Sequence, residues 1–165
     1  MSLTRLDDAT VHTNGDIPSV GSTAPAFTLA DNKLKDVTLE SLRGARVVLN
    51  IFPSIDTSTC AQSVREFNRR AAALPKTTVL CIAKDLPYAM RRFCAAEGID
   101  RVITLSDFRS KEFANDYHVE MIDGRMRGLF ARVVIIIDES GVIKYTEVVP
   151  TIEQEPDYTA ALKAL

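Results

Sequence analysis

Apolar residues in this chain fall into short blocks separated by turn residues, and the blocks alternate between two periods. Arg46-Val-Val-Leu-Asn-Ile-Phe52, Thr77-Thr-Val-Leu-Cys-Ile-Ala83 and Arg132-Val-Val-Ile-Ile-Ile-Asp138 are almost continuously apolar, as strands covered on both faces are. Pro25–Leu29, Val37–Leu39 and Val102–Leu105 are shorter strand candidates. Elsewhere the period is helical. From near Cys60, Val64, Phe67 and Ala71 recur on one side, with Arg65, Glu66, Arg69 and Arg70 opposite, until Leu74-Pro75 stops the run. Pro87 suits the first turn of a helix reaching Glu97, and Gly98 suits its C-terminal cap. Further helices are predicted near Ser110–Tyr117 and over Pro156–Leu165. Val142–Val148 should fold back on the preceding strand across Glu139-Ser-Gly141. In the polar first 24 residues, Asn14-Gly15 is the turn signal that would close an N-terminal hairpin.

The resulting order, β-α-β-α-β-α-β-β-α, predicts an α/β fold with a central mixed sheet, parallel in its first half and antiparallel in its second. Right-handed crossovers then place helices on both faces. This is a thioredoxin-like arrangement with an N-terminal extension. With no repeat, low-complexity tract or linker, residues 1–165 read as a single domain. Such a fold supports many chemistries and assigns none.

Composition narrows the options. The chain has 165 residues, 46% of them hydrophobic and 25% charged, which is enough to bury a core without metal or disulfide staples. No apolar run approaches membrane-spanning length, and Met1–Thr10 lacks the apolar core of a signal peptide. Twenty basic against 22 acidic residues argue against a general nucleic-acid or membrane-surface binder. The three cysteines, an odd and sparse set, point to a reducing cytoplasm rather than a disulfide scaffold. Cys60, Cys81 and Cys94 include no CxxC pair, and His12 and His118 lie in unrelated segments, so no metal site is expected.

Redox chemistry or structural thiols remain, and local context separates the three. Cys60 follows Pro53, which ends a strand, and stands where a loop becomes a helix. Unpaired N–H groups and the positive end of the helix dipole favour thiolate there. Thr57, three residues earlier, can place a hydroxyl beside the sulfur, and Pro53 can wall the pocket. Arg65 and Arg132 are the candidate cations; a weakly hydrated guanidinium suits a thiolate in a partly dry site. Proline and a hydroxyl residue at these two offsets coincide by chance on the order of one time in a hundred. Cys94 in Arg91-Arg-Phe-Cys94 reads equally well as a redox thiol or a small buried residue. Cys81, in mid-strand, reads as a buried inert thiol.

Pro53-Ser-Ile-Asp-Thr57-Ser-Thr-Cys60 resembles the P-x-x-x-T/S-x-x-C motif of peroxiredoxins, and Asn50–Thr57 with Cys60 closely resembles their thiol peroxidase subfamily, the atypical two-Cys enzymes. The resemblance continues through Pro25–Leu29, Asp85-Leu-Pro87, Arg92-Phe-Cys94, Ala131-Arg132 and Glu155-Pro-Asp-Tyr158. It implies Cys60 as the peroxidatic cysteine, Cys94 as the resolving cysteine, and Pro53, Thr57 and Arg132 as pocket residues. It further implies reduction of hydrogen peroxide and organic hydroperoxides without metal, haem or flavin. A Cys60–Cys94 disulfide recycled by thioredoxin, and a homodimer, belong to the same expectation. The two cysteines start and line different helices, so their disulfide would require local unwinding. Two other classes are a dithiol oxidoreductase, which the missing CxxC disfavours, and a redox sensor or holdase using the same thiol switch.

Overall fold

The computed structural model describes residues 1–165. Its centre is the strand β5 (Arg46–Ile51), where Val47 to Ile51 are all buried. Alternate side chains leave in opposite directions: Val47, Leu49 and Ile51 join one core cluster, and Val48 another. A strand sandwiched in this way must be apolar throughout, which explains the continuous run.

The remaining strands are β1 (Leu3–Leu6), β2 (Ala9–His12), β3 (Thr28–Asp31), β4 (Asp36–Thr38), β6 (Thr77–Ala83), β7 (Ile103–Ser106), β8 (Val133–Ile137) and β9 (Ile143–Val148). The helices are α1 (Ser58–Ala71), α2 (Pro87–Glu97), α3 (Glu112–Tyr117) and α4 (Tyr158–Lys163). Seven strands form one mixed sheet in the order β4-β3-β7-β6-β5-β8-β9. Only β5, β6 and β7 run parallel. The strands of the predicted order are thus parallel in β5–β7 and antiparallel in β8 and β9, as expected. The addition is β3 and β4, a hairpin closed by a tight turn at Asp31–Lys35, whose β3 joins the other edge antiparallel to β7.

One face of the sheet carries α1 and α4, through Phe67, Tyr158 and Ala161, with Met90 of α2 beside them. The other face carries α3, whose Phe113 and Tyr117 stack at 4.6 Å. Helix α2 runs between its two sequence markers, with Pro87 in its first turn and Gly98 at φ 66° closing it. Two long connections, residues 13–27 and 118–132, complete the core on the α3 side.

The N-terminal hairpin is present but turns elsewhere than expected. It closes at Asp7-Asp8, between the paired residues Leu6 and Ala9, with Asp7 at φ 55°. Aspartate tolerates that left-handed conformation, so the turn lacks the glycine that sequence patterns look for. Asn14-Gly15 lies beyond β2. The Asn14 amide donates to the Ala114 carbonyl of α3 at 3.0 Å, and Gly15 packs on the His118 ring. A Cβ at position 15 would lie 2.6 Å from His118 Nδ1. Gly15→Ala should therefore destabilise the fold by about 1–3 kcal/mol, seen as a lower urea midpoint at unchanged slope.

Candidate active site

The site is built where β5 ends. Pro53 follows the last ladder bonds, and residues 53–57 cross the end of the sheet before α1 begins. Two hydrogen bonds from this loop hold it to Asp85: Ser54 Oγ donates to Oδ1 at 2.8 Å, and Ile55 N–H to Oδ2 at 2.7 Å. Asp85 itself stands between β6 and α2, so one carboxylate ties the loop before Cys60 to the start of the helix that carries Cys94.

Thr57 is the N-cap of α1, in extended conformation, and its Oγ1 accepts the Cys60 N–H at 3.2 Å. The hydroxyl thus uses a lone pair on the backbone and keeps its own proton free to donate toward the cleft. Cys60 is completely buried, among Phe52, Ile55, Val64, Cys81 and Met90. Beside it lies Arg132, which is only 1% exposed. Arg132 Nη2 donates to Cys60 Sγ at 3.5 Å and to the Ile152 carbonyl at 2.7 Å, and Nε donates to the same carbonyl at 2.9 Å. The third nitrogen, Nη1, is buried and has no protein partner. Pro53, Thr57, Arg132 and Ile152 line one cleft, with Leu6 of β1 and Met126 on its walls. The cleft therefore offers a hydroxyl and a cationic side chain, and the Cys60 sulfur, buried and outside the lining, is linked to it through Arg132 at 3.5 Å.

Pro53, Thr57 and Cys60, the residues of the motif, come together with Arg132, one of the two candidate cations. Arg65 does not join them. Five residues after Cys60 is about 140° round a helix, which turns Arg65 to the surface, where it forms a two-bond pair with Glu97 at 2.9 Å. Arg132, arriving from the neighbouring β8 side, is the cation at the sulfur.

Cys94 lies outside this cleft, in the last turn of α2, and burial pushes its thiol up from the ordinary range, against a smaller opposing effect of the Thr104 hydroxyl. Arg91 and Arg92 do not reverse that: Arg91 stacks on exposed Tyr88, and Arg92 stands 4.0 Å from Asp56 at the surface. Cys81 is fully buried in β6 and pushed up to about 12 by that burial, despite a weak hydrogen bond from Asn50. All three thiols are free. No cluster of three or more His, Cys, Asp and Glu side chains could hold a metal ion.

Two parts of the site escape sequence reasoning. Asp85 has a weak signal, an acid between a strand end and a helix-starting proline. Ile152 has none, because its contribution is a backbone carbonyl that any residue would supply.

The redoxin family profile matches residues 19–162 of the chain. The chain is 52% identical over 155 residues to the thiol peroxidase of Mycobacterium tuberculosis H37Rv, covering 94% of this chain and 93% of that protein. Among solved structures, a peroxiredoxin-like protein from Aquifex aeolicus superposes with TM-score 0.92 at 31% identity, over 98% of this chain and 95% of that one. The thiol peroxidase from Chromobacterium violaceum shares the fold, with TM-score 0.89 at 24% identity, over 98% and 93% of the two chains. A buried cysteine capped by threonine and touched by a buried arginine, carried on that fold and that sequence, places the chain in the redoxin family, among its thiol peroxidases.

Proposed function

We propose that the protein reduces hydroperoxides at Cys60 and resolves the product with Cys94. The observation that carries this reading is the Arg132 guanidinium, with one nitrogen on Cys60 Sγ and another buried without a partner. A buried cationic donor left unpaired is costly. An oxygen of a bound peroxide satisfies it and lies in reach of the sulfur.

In the first step the Cys60 thiolate attacks the terminal oxygen of ROOH. The S–O bond forms as the O–O bond breaks, sulfur is oxidised to the sulfenic acid, and the alkoxide leaves, taking a proton to become alcohol or water. Arg132 and the Thr57 hydroxyl stabilise the charge that moves from sulfur to the leaving oxygen. Cys94 then attacks the Cys60 sulfenic acid, water leaves, and a disulfide forms. An external dithiol reduces it by exchange. Thioredoxin is the reductant this reading assigns, and it also carries a homodimer working in the cytoplasm, on hydrogen peroxide and organic hydroperoxides. Similarity to thiol peroxidases supports the peroxidase part of the reading. No helix is long and apolar enough to cross a membrane.

Resolution requires movement. Cys60 and Cys94 are buried on separate helices, and Cys94 O accepts bonds from Gly98 N and from Ile99 N, the latter at 3.0 Å. Unwinding the start of α1 and the end of α2 releases both thiols. Exposure also removes the burial that raises the Cys94 thiol, so the same movement supplies more attacking thiolate.

One equivalent of hydrogen peroxide tests the reading. Two of the three thiols should disappear in the parent protein, whereas Cys94→Ser should lose one and hold a trappable sulfenic acid. Thiol loss no faster than that of free cysteine would overturn it.

A further inference from the structure

The N-terminal hairpin lies outside the seven-stranded mixed sheet, yet it reaches the active site by a short chain of bonds. Residues 149–152, which follow β9, are gripped from both sides. On one side, Val149 N–H donates to the Arg132 carbonyl at 2.9 Å. On the other side stands β1. Thr4 Oγ1 donates to the Val149 carbonyl at 2.8 Å, Arg5 N–H donates to the Pro150 carbonyl at 2.8 Å, and Ile152 N–H donates to the Arg5 carbonyl at 2.8 Å. Arg5 and Thr151 form a parallel bridge. The Ile152 carbonyl, at the end of this chain, accepts both Nε and Nη2 of Arg132. Thr4 and Leu6 are buried against the same segment, and Leu6 walls the cleft.

We propose that the N-terminal hairpin is a positioning element of the active site: Thr4 and the Arg5 peptide hold residues 149–152 so that the Ile152 carbonyl aims the Arg132 guanidinium at Cys60. The proposal rests on Cys60 and Arg132 being the reacting pair. Its physical basis is geometric. Two guanidinium nitrogens share one carbonyl, so turning that carbonyl turns the planar fork and moves the nitrogen on the sulfur and the free one together. A displacement near 1 Å at a reacting centre costs about 10²-fold in rate.

Arg5 allows a clean test, because its N–H and carbonyl both point away from β2 toward residues 150–152. Arg5→Pro deletes that one outward donor while leaving the ladder bonds of the hairpin in place. Its second-order rate constant with hydrogen peroxide, measured where Cys60 is fully ionised, should fall by about tenfold or more. Alkylation of Cys60 by iodoacetamide at the same pH should stay within about twofold. Thr4→Val should follow Arg5→Pro, and Thr4→Ser, which restores the hydroxyl, should recover the parent rate. Gly44→Ala, strained at φ 93° just before the start of β5 and so at the opposite end of that strand from the site, should keep it throughout.

If Arg5→Pro does not fold, the Thr4→Val and Thr4→Ser pair decides. Peroxide rates within twofold of the parent, or equal losses toward peroxide and iodoacetamide, overturn the positioning role. Arg132→Met separates this from the underlying reading: if it too keeps the parent peroxide rate, the reacting pair is wrong, and not only the hairpin's part in it.

Discussion

Cys60→Ser should lower peroxide consumption by at least about 10⁴-fold, the scale of losing a nucleophile outright. A hydroxyl ionises far less readily than a thiol, so the substituted side chain cannot attack. The remaining thiols offer no substitute. Cys81 is enclosed in the sheet and pushed up to about 12, and Cys94 is also raised by burial. The substitution itself is small and leaves the Thr57 cap bond, which involves only the backbone of residue 60. Stability should therefore change little while activity disappears, measured as peroxide consumption beside a urea midpoint. Turnover persisting in Cys60→Ser would move the chemistry to another residue.

Arg132→Met should give the second largest loss, about 10²–10³ in the rate constant for peroxide, the range for removing a preorganised charge-stabilising donor. Methionine keeps much of the volume and the apolar packing but removes the charge and the fork. It also leaves the Ile152 carbonyl without its side-chain donors, at about 1–3 kcal/mol in stability. The two effects are separable, since a stability loss at this level does not unfold a domain of ordinary stability. Arg132→Lys sharpens the point. It restores the charge but not the planar arrangement that reaches a carbonyl and a sulfur at once, so it should recover stability more fully than rate. A Met variant within twofold of the parent rate would remove Arg132 from the mechanism.

The fold was most legible where the chain carries its own punctuation. Both ends of α2 are marked, by Pro87 and by Gly98 at positive φ, and the helix occupies that interval. Strand β6 spans the predicted Thr77–Ala83 because a strand buried on both faces is apolar along its whole length. Edges were harder. Strand β3 begins at Thr28 rather than Pro25, since pairing with β4 and β7 sets its limits and those partners are distant in sequence. The hairpin turn was misplaced because Asp7 takes a conformation usually marked by glycine or asparagine, while Asn14-Gly15 serves packing against α3.

Within the candidate site, residues close in sequence were easiest to place. Thr57 and Cys60 are linked by the geometry of a helix start, and Pro53 by the end of the strand before it. The residue pattern alone leaves Arg65 and Arg132 both open; the resemblance singles out Arg132, and the structure has it beside Cys60 with Arg65 turned to Glu97. The N-terminal hairpin was expected, but neither its contact with residues 149–152 nor the Ile152 carbonyl could be read, because backbone groups leave no trace in residue type.

If Cys60 and Cys94 form the proposed disulfide, their burial in intact helices bears on the reduction potential of that couple. The structure has both thiols free, with the α1 cap, the last turn of α2 and the burial of Cys60 and Cys94 intact; the proposed disulfide state would give up part of each. Free energy that favours the reduced fold makes the disulfide more oxidising, by about 30 mV for each 1.4 kcal/mol. In the proposed cycle the fold would thus drive the return half: refolding of the two helix ends would pull the disulfide toward reduction, and an external dithiol would work with the protein rather than against it.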